Sequence, residues 1–161
     1  MNPTELIALA RALVNGIIAG GAAPVSQTEL RRAVSCAYYA MFHTLALSNA
    51  NTLIGASTAD QQRWAWQQTY RAADHRPTRN KLSSVSLGGR FPGAVLRFGV
   101  VFADIQRARH SADYDPHSEF SATDVSELID RAETVIANFN QTPDDTRRDL
   151  AIHILTNVRS D

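Results

Sequence analysis

Apolar residues recur at intervals of three and four along most of this chain, and that period is the signature of amphipathic α-helices. The run nearest the start would place one apolar face of a helix inward, and it comprises Leu6, Ile7, Ala10, Leu13, Val14, Ile17 and Ile18. No segment shows the convincing apolar–polar alternation of a half-buried strand. The spacing predicts an all-α protein, an antiparallel up-and-down helical bundle of about five to six helices joined mostly by short loops.

Start and stop signals locate the predicted helix ends. The first helix has Asn2 as its N-cap and Pro3 at its first position, and the second opens with the capping box of Ser26 and Glu29. The predicted helices run from Asn2 to Gly20-Gly21, from Ser26 to about Ala50, from Ser57 to about Ala73, from about Gly93 to Asp113, from Ser121 or Thr123 with an apolar stripe to Phe139, and from Thr142-Pro143 to about residue 160.

Length and composition limit the class of protein. A chain of 161 residues is expected to form a single domain, 1–161, with a real core. The start of the sequence has an acid and no basic residues, so no signal peptide is expected, and no apolar run approaches a membrane span. The single cysteine, Cys36, cannot form an intrachain disulfide and is expected to be an inert buried thiol. These features predict a cytoplasmic protein without a membrane partner.

The charges are unevenly distributed, although the net charge is zero. Residues 63–109 contain nine bases and two acids, and residues 110–161 contain four bases and eleven acids. This asymmetry favours either a polyanionic partner for the basic third or charge complementarity within a folded domain or dimer. Both interpretations stay open at this point.

Residues 74–92 interrupt the helical period and are expected to form a basic loop. Together with the preceding helix end, this loop would present a cationic entrance that could steer a phosphate-bearing ligand, made of Arg71, His75, Arg76, Arg79 and Lys81. The alternative is a solvated helix end with no ligand.

Two short stretches place Arg, His and Tyr on helices that otherwise consist of core residues. They read Arg31-Arg32-Ala33-Val34-Ser35-Cys36-Ala37-Tyr38-Tyr39-Ala40-Met41-Phe42-His43 and Arg107-Ala108-Arg109-His110-Ser111-Ala112-Asp113-Tyr114-Asp115-Pro116. Together they resemble the HEPN superfamily of small α-helical nucleotide-binding and RNase domains, and within it the branch with an Ala-Tyr-Tyr-Ala helix and a late Ala-Asp-Tyr. The resemblance covers roughly residues 27–140, which would form the HEPN-like core, with 142–160 as an additional C-terminal helix. It implies a homodimer.

RNase-active HEPN members carry an Arg and, four to six residues later, a His at a cleft between two protomers. The resemblance implies that such a His removes the 2′-hydroxyl proton while the Arg neutralises the scissile phosphate, without a metal. In this chain the fifth residue after Arg109 is Tyr114, and tyrosine, with a pKa of about 10, is a poor general base. His110 points about 100° away from Arg109 on the helix. Phosphate binding is therefore favoured over cleavage, with His110 and His43 as the candidate catalytic residues.

The end of the fourth predicted helix is the strongest candidate for phosphate or nucleotide binding, through Arg107, Arg109, Asp113 and Tyr114. Arg109 and Asp113 are four residues apart and can pair, so the alternative is an internal ion pair that fixes the helix end.

The second helix has another polar face, on which Arg32, Cys36, Tyr39 and His43 follow each other at spacings of four, three and four. These residues either contribute to a site or hold helices together through buried hydrogen bonds, and the second interpretation is favoured.

The literal Arg-to-His spacing occurs once more, from Arg148 to His153, but His153 is expected on the solvent face of the last helix. The five histidines are scattered, so neither a metal nor a cofactor is expected.

The expected function is a nucleotide- or RNA-binding protein, part of a toxin–antitoxin or defence system, with a degenerate catalytic site. A partner protein encoded nearby would fit such a system. Two alternatives stay open: a structural or interaction module that forms a homodimer, and a metal-independent endoribonuclease that uses His110 or His43.

Overall fold

The structure, a computed structural model, describes residues 1–16 and 24–156, apart from the side chain of Ser84. Those residues form α-helices, one 3₁₀ turn and no strand, which confirms the all-α prediction. The helices are α1 (Pro3–Val14), α2 (Gln27–Leu53), α3 (Thr58–Gln61), α4 (Trp64–Arg71), α5 (His75–Lys81), α6 (Ser84–Leu87), α7 (Gly93–Tyr114), α8 (Ala122–Asn140) and α9 (Asp144–Leu155), with the 3₁₀ turn at Gly88–Arg90. The described residues thus hold nine helices, more than the five to six predicted.

The contacts divide the chain into two compact units. Unit 1 comprises Met1–His43 and Val101–Ala137, and unit 2 comprises Thr44–Val100 and Asn138–Asp161. The long helices α2 and α7 each contribute residues to both units. Each unit is described by itself below.

The core of unit 1 consists of the apolar faces of α1 and α8 with the first part of α2 and the last part of α7. Its fully buried side chains include Ala10, Leu30, Val34, Met41, Phe102, Ile105, Val125, Ile129 and Ala132. On the surface of this unit, Arg11 of α1 forms ion pairs with two acids of α8, Asp130 at 2.8 Å and Glu133. Both acids raise the pKa of Arg11, because they stabilise its charged form.

Helix α1 is shorter than predicted. It ends at Val14, and Gly16 follows with a φ of 67°, a left-handed conformation that glycine adopts without strain. The predicted stop at Gly20-Gly21, and Ile17 and Ile18 before it, lie outside the described residues. The helix therefore ends at an earlier glycine than the one that the apolar period favoured.

The capping box of α2 is confirmed. The Ser26 amide donates to a carboxylate oxygen of Glu29 at 2.8 Å, and the Ser26 hydroxyl lies 2.7 Å from the same oxygen. In return, the Glu29 amide donates to the Ser26 hydroxyl at 3.3 Å. These bonds to Ser26 lower the pKa of Glu29. The start of α2 is thus determined by local hydrogen bonds within one turn.

Unit 2 differs most from the prediction. The sequence predicted one helix from Ser57 to about Ala73, but the structure has two. The capping box of Ser57 and Asp60 starts the short α3, which ends at Gln61, and a new helix, α4, begins at Trp64. The basic loop expected over 74–92 contains α5, α6 and the 3₁₀ turn, so the prediction of an unstructured segment is wrong. Pro77 is the third residue of α5, in the first turn, where a missing amide costs no helical hydrogen bond.

The core of unit 2 includes Leu45, Leu82, Leu87, Phe91, Val95, Phe98, Phe139, Leu150 and Ile154. The rings of Phe98 and Phe139 pack with their centroids 4.6 Å apart. Trp66 donates to the Asn51 side chain at 3.0 Å and stacks on Tyr70, whereas Trp64 is 75% exposed and does not belong to this core.

His153 lies in a different environment from the one expected. Its Nε2 is 3.0 Å from the carbonyl oxygen of Lys81 and 3.0 Å from the Ser86 hydroxyl, and its ring contacts Phe91. It is partly buried between α9 and the segment that precedes α7, so its assignment to the solvent face is wrong.

Candidate functional site

The two motifs that carry the family resemblance meet in unit 1, around the guanidinium of Arg109. Its central carbon lies 5.8 Å from the ring centre of Tyr38, 5.7 Å from that of Tyr39 and 5.6 Å from that of Tyr114. Asp113, one turn further along α7, forms an ion pair with Arg109 Nε, and Nη2 donates to the Tyr39 hydroxyl at 3.3 Å. Arg109 is therefore surrounded by aromatic faces and one carboxylate.

Burial and charge act on Arg109 in opposite directions. Burial lowers the pKa of the guanidinium, whereas Tyr39, Asp113 and the other tyrosines raise it, and the net effect is upward. Only 22% of the Arg109 side chain is exposed. Arg109 thus remains a cation at any physiological pH, although most of its side chain is buried.

Tyr38 packs on the buried side of Arg109. It is 1% exposed, it packs on Phe102, and it accepts a hydrogen bond from the Gln106 amide at 3.3 Å. Burial raises the pKa of the Tyr38 hydroxyl from 10.0 to about 12. Tyr38 is thus a neutral core residue, and its neighbour Tyr39, which is partly exposed, is the tyrosine of the pair that faces the surface.

Arg31 holds the end of α7. Its Nη1 donates to the carbonyls of Ala112 and Asp115, each at 2.9 Å, and its Nη2 donates to those of Ser118 and Pro116. The last carbonyls of a helix have no partner within the helix, and here one guanidinium supplies donors for the end of α7 and the turn after it. The donors of Arg31 are therefore used within the protein.

A cleft of about 420 Å³ opens beside these residues, entirely within unit 1. It is lined by Thr28, Arg31, Arg32, Ser35 and Tyr39 of α2 and by Arg109, Ala112 and Asp113 of α7. Three arginines and one aspartate give the lining an excess of two positive charges. Such a lining favours an anion over a neutral or cationic ligand.

Arg32 is the cation of the cleft that is available to a ligand. It is exposed, and within the described residues it makes no hydrogen bond or ion pair. Arg31 and Arg109, by contrast, are both engaged by protein groups. A phosphate entering the cleft would therefore meet the unpaired guanidinium of Arg32, with Arg109 also in the lining.

The other predicted binding residues are distributed over both units. Arg107 is exposed, pairs with Asp104 at 2.6 Å and does not line the cleft. Tyr114 is 64% exposed and contacts the cleft only through its ring beside Arg109. Arg71, His75 and Arg76 belong to unit 2, and of these Arg76 lines a separate cavity. The structure thus brings together Arg109, Asp113 and Tyr114.

Neither candidate catalytic histidine lines the cleft. His110 is exposed, with its ring 4.9 Å from that of Tyr114, and His43 is partly buried with its ring stacked on Tyr39 at 6.1 Å. Each histidine ring thus contacts a tyrosine that also lies beside Arg109.

Four residues of the cleft were not predicted to line a site: Thr28, Arg31, Ser35 and Ala112. Ser35 donates to Asp113 at 2.8 Å and so fixes the carboxylate that pairs with Arg109, and Thr28 forms part of the wall. A signal existed, because Thr28, Arg32, Ser35 and Tyr39 follow the same spacing of four, three and four as the face that was proposed for α2. Cys36, assigned to that face, is partly exposed rather than buried, and desolvation raises the pKa of its thiol.

Comparison with known proteins gave no match to a family model, to a curated protein or to a solved structure. Within residues 1–16 and 24–156, no three His, Cys, Asp or Glu side chains are grouped so that they could hold a metal ion. The same residues include no helix with the length and apolarity needed to cross a bilayer.

Proposed function

We propose that this protein binds RNA or nucleotides through the cleft of unit 1, with phosphate held at Arg32 and Arg109. The observation that carries the proposal is the excess of positive charge in the lining, with Arg32 unpaired among the described residues. Tyr39, which is partly exposed, belongs to the same lining and contacts Arg109. The resemblance to HEPN domains supports the same function.

The experiment measures the binding of a short fluorescein-labelled single-stranded RNA by fluorescence anisotropy. Arg32→Ala should weaken binding by about tenfold, because a charge-assisted hydrogen bond is lost without a change to the core. Binding by the wild type should weaken steeply with added salt.

The matched control is Arg131→Ala, which removes the same charge from unit 1 at an exposed position outside the cleft. If Arg32→Ala and Arg131→Ala weaken RNA binding equally, the binding depends on the overall charge of unit 1 and not on the cleft. No binding at low salt would remove the proposal.

We further propose that the cleft binds without cleaving. The position of the expected general base is occupied by Tyr114, and neither His110 nor His43 belongs to the lining of the cleft. RNA incubated in EDTA should therefore stay intact with wild type, His110→Ala and His43→Ala. Wild-type cleavage that either substitution abolishes would make the protein a metal-independent endoribonuclease.

A second candidate function, a structural or interaction module, is favoured by one observation. Arg31, Asp113 and most of Arg109 are engaged by groups of the same chain, as expected of residues that fix packing. A wild-type protein that dimerises but does not bind RNA would identify this function.

A further inference from the structure

A second cavity, of about 430 Å³, lies in unit 2 and takes no part in the proposed RNA site. It is lined by Arg76, Pro77, Asn80 and Lys81 of α5 and by Ser86 of α6. Arg76 and Lys81 supply two positive charges, and no acidic residue belongs to the lining. Both charged residues of this cavity are cations, whereas the cleft of unit 1 also contains Asp113.

Both cations have donors to spare. Arg76 is exposed and makes no hydrogen bond or ion pair within the described residues. The ammonium of Lys81 donates one of its three protons to the carbonyl of Thr156 at 2.8 Å, which holds the side chain in place, and it has no carboxylate partner among those residues. One cation of the cavity is thus free to reorient, and the other is already positioned.

The contacts of His153 leave the hydroxyl hydrogen of Ser86 free to donate to a ligand in the cavity. Its Nε2 is 3.0 Å from the carbonyl oxygen of Lys81, which can only accept, so Nε2 carries the proton. The same N–H is 3.0 Å from the Ser86 oxygen, which therefore accepts, and the hydroxyl hydrogen can point into the cavity. Because Nε2 is protonated, His153 cannot act as a base toward Ser86, and the pair is a binding group rather than a nucleophile with its base.

We propose that this cavity binds a small phosphomonoester in its dianionic form. A guanidinium, an ammonium, the Asn80 amide and a hydroxyl can donate to phosphate oxygens, and the two cations match the two negative charges of a monoester. A phosphodiester, as in an RNA backbone, carries one negative charge and lacks the additional terminal oxygen. The volume exceeds that of phosphate alone, so the esterified group would lie along Pro77 and the aliphatic stems.

The test is an NMR titration of the full chain with methyl phosphate and, in parallel, with dimethyl phosphate. Methyl phosphate should shift the amide signals of residues 76–86 in a saturable way, and dimethyl phosphate should bind at least about tenfold more weakly. Equal binding of the two ligands, or the absence of a saturable shift, would overturn the proposal.

Two variants locate the site. Arg76→Ala, an exposed position whose loss leaves the core intact, should weaken methyl phosphate binding by about tenfold. Arg97→Ala removes an exposed arginine of unit 2 outside the lining and should change binding less than about twofold. The same loss in both variants would contradict a specific site.

Arg32→Ala, in the cleft of unit 1, should leave the methyl phosphate shifts of residues 76–86 unchanged. The two sites can therefore fail separately: RNA binding depends on Arg32, and phosphomonoester binding depends on Arg76.

Discussion

Arg31 and Arg32 are adjacent on α2, yet their side chains have different partners. Arg31 is engaged by four backbone carbonyls at the end of α7 and beyond, and Arg32 is exposed at the cleft. Sequence alone does not distinguish them, because both are arginines in the first two turns of the same helix. Their roles differ because the side chain of Arg31 reaches the end of α7 and that of Arg32 does not.

This difference predicts opposite effects of the same substitution. Arg31→Ala should lower the free energy of unfolding by about 2 kcal/mol, because the carbonyls of the α7 terminus lose charge-assisted donors. Arg32→Ala should change it by less than about 0.5 kcal/mol, as expected of an exposed position. Urea unfolding of both variants checks the prediction, and the two share the same change in helix propensity. Equal destabilisation would contradict the assignment of Arg31 to the α7 terminus.

The Tyr38 hydroxyl makes stability depend on pH in the alkaline range. In the unfolded chain this group ionises near its ordinary pKa of 10.0, whereas in the folded protein burial raises the pKa to about 12. Between these values the unfolded state has lost the proton and the folded state has retained it, so stability falls as the pH rises. Below pH 10 this contribution is constant.

Comparison of the wild type with Tyr38→Phe isolates the contribution. Urea unfolding at pH 8 and at pH 11.5 should show a larger loss of stability in the wild type, by about 2 kcal/mol. A pH dependence that is the same in both proteins would show that the folded-state pKa of Tyr38 is not raised.

At the scale of elements, α7 passes very close to the end of α5 within unit 2. A Cβ on Gly99 would lie 2.2 Å from the carbonyl oxygen of Leu82, which is backbone and cannot turn away. Glycine is unfavourable within a helix by about 1 kcal/mol relative to alanine, so its presence there reflects the close approach and not helix stability.

Gly99→Ala should therefore destabilise the protein by about 2 kcal/mol, although helix propensity alone predicts a gain. Gly89→Ala is the control, since a Cβ at Gly89 would meet nothing within 4 Å. Thermal or urea unfolding of both variants decides the sign. A stabilised Gly99→Ala would show that the Leu82 backbone can move away at little cost.

Helices with local start signals lie where the sequence predicts them, and helices that depend on distant contacts do not. Where a signal is local, as in the Ser26–Glu29 box or the acidic first turn of α9, it located the helix within a residue or two. Within 74–92, Pro77 and the serines and glycines indicated a loop. Pro77 is tolerated, however, in the first turn of α5. Burial of Leu82 and Leu87 then stabilises short helices that intrinsic helix propensity disfavours. Such burial depends on partners distant in sequence.

The same distinction applies to the site. The Arg109–Asp113 ion pair follows from a four-residue spacing, and the sequence indicated it as the alternative to phosphate binding. That Tyr38 and Tyr39 lie beside Arg109 was not predicted. The link from Ser35 to Asp113 connects residues 78 apart and depends on how α2 and α7 pack, so no local pattern could reveal it.

At the scale of the whole molecule, the neutral chain divides into oppositely charged units. Unit 1 contains six basic and ten acidic residues, a net charge of −4, and unit 2 contains ten basic and six acidic residues, a net charge of +4. The alternatives left open by the sequence, a polyanionic partner or charge complementarity, stay predictions. Salt should weaken any association that depends on this charge separation.

The resemblance to HEPN domains predicts a symmetric homodimer, and unit 1 exposes large side chains such as Leu9 and Tyr114 that a partner could cover. Light scattering should give twice the mass of the chain over a wide range of protein concentration. A monomer whose mass does not change with concentration would contradict this prediction.

The contacts of Arg31 also have a consequence for native-state fluctuations. One side chain near the start of α2 holds carbonyls 81 to 87 residues further along the chain. When the first turns of α2 open, the end of α7 and the turn after it lose their donors at the same moment. Amide hydrogens around residues 28–32 and 112–118 should therefore exchange with solvent at a common opening free energy, as one cooperative unit assembled from two distant pieces of sequence.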